Sequence, residues 1–108
     1  MKLISEEKLE NLNNLYNEGN ISEVLVIGSK LLEEEGIISN ELLFAKLLVL
    51  MGNASFLQSE FATALRYYED SLDINVRIDN KEGLAAALGN IGLAKQNLGE
   101  YSIALEYY

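Results

Sequence analysis

Apolar side chains along this chain recur three and four positions apart, the spacing that lines one face of a helix. From Phe61 they fall at Ala64, Leu65, Tyr68 and Leu72. The preceding segment repeats the pattern through Phe44, Leu47, Leu48, Met51, Ala54 and Ser55. The spacing predicts paired helices near 5–18 and 20–35, 40–57 and 60–78, and 81–97 and 100–108. With no proline in the sequence, the commonest helix breaker is missing. Asn20 with Glu23 reads as a capping box, and Asn40, Ser59 and Asn80 as N-caps. Gly19, Gly36 and Gly99 supply the permissive backbone that helix ends need.

The chain also repeats itself. Shifted by 40 positions, residues 29–68 meet an identical residue in 69–108 twelve times without a gap, Ala45/Ala85, Leu48/Leu88, Gly52/Gly92, Ala64/Ala104 and Tyr68/Tyr108 among them. Average composition would give roughly three such matches by chance. The same offset backwards places Gly19 on Ser59 and Gly99, and Leu25 on Leu65 and Leu105. The sequence is therefore about two and a half copies of one helical hairpin, with units near 1–39, 40–79 and an incomplete 80–108. Hairpins that cannot bury their apolar faces alone must stack on their neighbours. The expected fold is all-α, an α-solenoid forming a single domain.

The stretch Asn90-Ile91-Gly92-Leu93-Ala94, followed by Gly99-Glu100-Tyr101 and by Ala104 and Tyr107-Tyr108, resembles the core of the tetratricopeptide repeat in its 40-residue variety. The resemblance covers the whole chain, most clearly from about residue 44 onward. It implies a right-handed superhelix in which Gly52 and Gly92 mark close helix crossings, with Ala64 and Ala104 opposite. The first unit departs most, with Leu12 at the glycine position, Val24 at the alanine position and Gly28 at the usual aromatic, as suits an N-terminal edge repeat. Lys95 also stands where the family usually has an aromatic.

By the same resemblance the first helix of each hairpin lines a concave groove. Carried over by position, that groove shows Glu6, Glu10 and Asn13 from the first unit. Lys46, Leu50, Asn53 and Phe56 follow from the second, and Asn90, Leu93 and Asn97 from the third. Asparagine offers both a donor and an acceptor, which suits a peptide backbone. The lysine- and arginine-rich clamp that some members use for a terminal carboxylate is missing, since Lys46 is the one basic residue among these positions.

Charge narrows the choice of partner. The net charge is −9, from 17 acidic and 8 basic side chains. Such a field repels nucleic acid and anionic membranes and favours a neutral or basic protein or peptide. The longest apolar run, Leu47 to Met51, is too short to span a bilayer. The polar opening is not a secretory signal, and the expected location is the cytoplasm.

Catalytic chemistry has little footing. The sequence holds no histidine and no cysteine, the usual general base and thiol nucleophile. Glu33-Glu34-Glu35 lie about 100° apart on a helix and cannot converge on one metal ion. Gly89-Asn90-Ile91-Gly92 has no preceding strand and no following Gly-Lys-Ser/Thr, so it is not a phosphate loop. Tyr67-Tyr68 and Tyr107-Tyr108 read as one packing residue and one partly exposed neighbour each. No enzyme, cofactor or metal is expected. The leading expectation is an interaction scaffold; the alternative is a sensory or regulatory segment of a longer bacterial signalling protein ending in a kinase, cyclase or transcription regulator. The last unit stops early, which predicts a fragment of a longer protein or self-association as a homodimer at an open end carrying Ala104, Leu105 and Tyr108.

Overall fold

A computed structural model describes the backbone of residues 3–107 and the side chains of residues 3–100. Its helices are α1 (Ile4–Asn17), α2 (Ile21–Leu31), α3 (Glu35–Ile38), α4 (Glu41–Leu57), α5 (Phe61–Arg77) and α6 (Lys81–Tyr107). No strand occurs among the described residues. The main packings join helices close in sequence: α1 with α2, α2 with α4, α4 with α5 and α5 with α6. This neighbour-on-neighbour order is that of an all-α helical repeat solenoid.

Two elements depart from the periodicity. The second helix stops at Leu31, and a four-residue turn of helix, α3, follows with Gly36 inside it. That turn exists to bury Ile37, which has no exposed surface and joins the main core. The larger departure is α6. The expected turn near Gly99 is missing, and one helix of 27 residues runs through it. Nothing among residues 98–100 breaks the helix, because glycine tolerates helical angles as readily as turn angles.

The other turns share one device. At the end of α1 the N–H of Asn20 donates to Leu15 O and that of Gly19 to Tyr16 O. The same pair of bonds closes α4, from Glu60 and Ser59 to Ser55 and Phe56, and α5, from Asn80 and Asp79 to Asn75 and Val76. These are Schellman motifs, which need a left-handed residue just past the helix. Gly19, Ser59 and Asp79 supply it, with φ of 85°, 60° and 54°. Ser59 thus ends α4 and does not cap α5, whose N-cap is Glu60. Asn20 makes no side-chain cap bond and instead donates to Glu18 at 3.3 Å. Asn40 does cap α4, its Oδ1 accepting from the Leu43 N–H at 3.2 Å.

The core runs along the stack. Leu9, Leu12, Val24, Leu31, Ile37, Leu43, Leu47, Leu50, Met51 and Ala54 bind the first hairpin to α4. Ala45, Leu48 and Ile74 continue between α4 and α5, and Ala64, Tyr68 and Ala94 between α5 and α6. Close crossings pair a glycine with a large side chain. A Cβ on Gly52 would stand 2.5 Å from the Tyr68 ring, so Tyr68, not Ala64, is what Gly52 admits. The first hairpin inverts the sizes: a Cβ on Gly28 would overlap Met51 Sδ and stand 3.3 Å from Leu12 Cδ2. Gly92 departs from expectation, since a Cβ there meets nothing described within 4 Å.

Candidate functional site

The groove is built on α1 and α4, whose first-turn and mid-helix residues face one side of the stack. Glu6, Leu9, Glu10 and Asn13 of α1 meet Asn40, Leu42, Leu43 and Lys46 across a depression of about 330 Å³. A second depression, about 410 Å³, adjoins it and shares Asn13, Leu42 and Lys46. Ala45, Val49, Leu50 and Asn53 of α4 line it, with Asn75, Asn80, Glu82, Gly83 and Ala86 closing the far side. Through these shared residues the two make one trough lined by α1, α4, α5 and α6.

Of the residues expected in the groove, Glu6, Glu10, Asn13, Lys46, Leu50 and Asn53 are brought together in this trough. Phe56, Asn90, Leu93 and Asn97 line neither depression. Phe56 is half-buried, its ring edge-to-face with Phe61 at 5.1 Å and packed beside the Ala64 cluster. Leu93 is exposed on α6, and Asn97 turns back to donate to Leu93 O at 2.9 Å. Ala104, Leu105 and Tyr108, expected at an open end, lie outside the described side chains.

Hydrogen bonding orients the trough's amides. Asn13 Nδ2 donates to Leu9 O at 3.1 Å, which commits its amide nitrogen and leaves Oδ1 as an acceptor. The Tyr68 hydroxyl donates to Asn53 Oδ1 at 2.6 Å, which leaves Nδ2 as a donor. Burial of Tyr68, and then the neighbouring Tyr16 hydroxyl, push its pKa up to about 12, because ionisation would leave a charge in an apolar site. The hydroxyl is a donor at neutral pH and remains one well into the alkaline range, holding Asn53 in one orientation.

The far wall holds an asparagine relay through Asn75 that the helical spacing did not predict. Asn75 is buried, and its Nδ2 donates to Ser71 O at 2.9 Å and Ser71 Oγ at 3.1 Å. Asn80 Nδ2 donates to Asn75 Oδ1 at 3.0 Å, and Asn80 Oδ1 accepts from the Gly83 N–H at 3.4 Å. A Cβ on Gly83 would overlap Asn75 Oδ1, so the glycine lets α6 approach. The signal was present: Ala64, Tyr68, Ser71 and Asn75 fall on one helical stripe, and polar members of a buried stripe need partners.

Among the described residues no group of histidine, cysteine, aspartate or glutamate is placed to hold a metal ion. Glu33 and Glu34 sit in the turn before α3, where Glu34 pairs with Lys8 at 2.9 Å.

The sequence pattern of the tetratricopeptide repeat matches residues 43–108. The chain belongs to the tetratricopeptide repeat family. Tetratricopeptide repeats generally mediate protein–protein interaction and are typically non-enzymatic, which agrees with a trough that presents amides and apolar side chains. A comparison with curated proteins finds no match. No described helix of this tetratricopeptide repeat protein is long and apolar enough to cross a membrane.

Proposed function

We propose that the chain is an interaction scaffold that holds an extended peptide or helix of a partner protein in the α1–α4 trough. The observation that carries this reading is the pairing of Asn13 and Asn53. One presents an acceptor and the other a donor across the shared depression, the two groups a peptide backbone needs. Leu42 and Val49 supply apolar contacts between them, over a floor formed by the buried Leu50. Glu6 and Glu10 at one end and Glu82 at the other favour a neutral or basic partner, with Lys46 the one cation on the lining. Phe56, Asn90, Leu93 and Asn97 belong to a continuation of the surface that a longer ligand reaches. The chain then works in the cytoplasm as a single binding domain without cofactor.

The test is selection from a displayed library of random peptides, followed by titration of the winners against variants. Asn13→Ala is expected to weaken binding about fivefold to tenfold, the worth of one hydrogen bond. Lys46→Glu should strengthen peptides with basic ends. Ser29→Ala on the outer helix α2, whose hydroxyl donates to Leu25 O, should change nothing. Selected peptides that bind Asn13→Ala and Lys46→Glu as well as the parent chain would place the site elsewhere.

A further inference from the structure

Three asparagines in the helices of this chain fold back on their own backbone in the same way. Asn13 donates through Nδ2 to Leu9 O at 3.1 Å, Asn75 to Ser71 O at 2.9 Å and Asn97 to Leu93 O at 2.9 Å, each to the carbonyl four residues before it. Such a bond ties the amide nitrogen to the helix and leaves the oxygen for another group. Asn75 shows the consequence, since its Oδ1 accepts from Asn80 Nδ2 at 3.0 Å. Asn53 takes the other course. Its Oδ1 accepts from the Tyr68 hydroxyl at 2.6 Å, and its nitrogen is the atom left over.

The difference comes from the facing helix of the hairpin. Forty positions before Asn53 and Tyr68 stand Asn13 and Gly28. Gly28 has no side chain, and Met51 and Leu12 occupy the space beside it, so no hydroxyl stands there for Asn13. Tyr68 is held firmly in the second hairpin. Its ring fills the space at Gly52 and is buried with Ala64 and Ala94, which fixes where its hydroxyl lies. Resting on the α1–α4 trough as the binding surface, we infer that Tyr68 is a positioning residue whose hydroxyl keeps Asn53 from folding back on Val49 O and so reserves the Asn53 amide nitrogen for the carbonyl of a bound peptide. Tyr68 lines neither depression and acts through Asn53. The trough asks for an N–H at Asn13 and a carbonyl at Asn53 because residue 28 is glycine and residue 68 is tyrosine.

Tyr68→Phe keeps the ring against Gly52 and removes the hydroxyl alone. By NMR of the free chain, the Asn53 side-chain amide protons should exchange with solvent severalfold more slowly in Tyr68→Phe, as the nitrogen moves onto Val49 O. The Asn13 amide should not change. Against peptides selected from the displayed library, Tyr68→Phe should bind about fivefold to tenfold more weakly, the worth of one hydrogen bond. In an Asn53→Ala background the same substitution should cost less than about twofold, because the group that Tyr68 orients is gone. Equal Asn53 amide exchange in the parent and Tyr68→Phe would overturn the positioning role. So would an equal loss of affinity with and without Asn53, since Tyr68 would then act through packing. Peptides indifferent to both Asn13→Ala and Asn53→Ala would instead remove the trough as the binding surface, and the amide exchange would still read the hold of Tyr68 on Asn53.

Discussion

At the scale of single residues, identical side chains at equivalent positions do opposite work. Gly52 is buried under the Tyr68 ring, and Gly92 is open. Gly52→Ala is therefore expected to cost about 1–3 kcal/mol through overpacking. Gly92→Ala should stabilise by about 0.5–1 kcal/mol through helix propensity alone. Urea unfolding of the two variants beside the parent reads both signs. Tyr68 makes a second residue-scale prediction. Its hydroxyl titrates near 10 in an unfolded chain and about 12 in the fold. The folded state thus holds its proton more tightly, so this contribution is intact below pH 10 and is lost as pH rises through about 12. Tyr68→Phe should flatten that alkaline fall in stability, as thermal melts from pH 9 to 12 would show, at the expense of the bond to Asn53. The glycine positions were legible in the repeat. That Gly28 admits Leu12 and Met51 in an inverted pairing was not, because volume complementarity is a property of two elements together.

At the scale of elements, apolar spacing located α1, α4 and α5 to within about two residues at each end, since one buried face per helix leaves a strong periodic mark. The ends were harder. One repeat position is occupied by Gly19, Ser59 and Gly99, and the three behave differently. Gly19 and Ser59 are left-handed residues of Schellman turns, while Gly99 lies inside α6. Ser59 carries a Cβ in that conformation, which costs about 1–2 kcal/mol relative to glycine. Ser59→Gly is expected to raise stability by about 1 kcal/mol and Gly19→Ala to lower it by a similar amount. Gly99→Ala should instead raise helix content, because it removes backbone freedom from an exposed helix interior. Circular dichroism with thermal melts distinguishes all three. Residue type alone read Ser59 as a cap for the following helix, whereas the backbone bonds of the preceding helix claim it.

At the scale of the whole molecule, stacking decides which surfaces remain for a partner. α4 packs against α1, α2, α3 and α5, so most of its length is buried and Leu42 and Lys46 are the exposed residues it gives to the trough. Part of the candidate site was expected in advance, since the resemblance to the tetratricopeptide repeat puts Glu6, Glu10, Asn13, Lys46, Leu50 and Asn53 on a groove, and these residues line the two depressions. Its far wall was not, because Asn75 belongs to the second helix of a hairpin and reaches the trough through a relay to Asn80 and Gly83. By itself the sequence determined the helical repeat, its period, the acidic balance and the faces that must be buried, all of which follow from local spacing and composition. Only the tertiary structure decided that α6 runs straight through Gly99, that Gly92 stands uncovered, and which amide atoms of Asn13 and Asn53 remain for a ligand. Glycine permits turn and helix alike, and an amide's free atom depends on which neighbour has already taken the other. Both are settled by contacts between elements and leave no periodic trace in the chain.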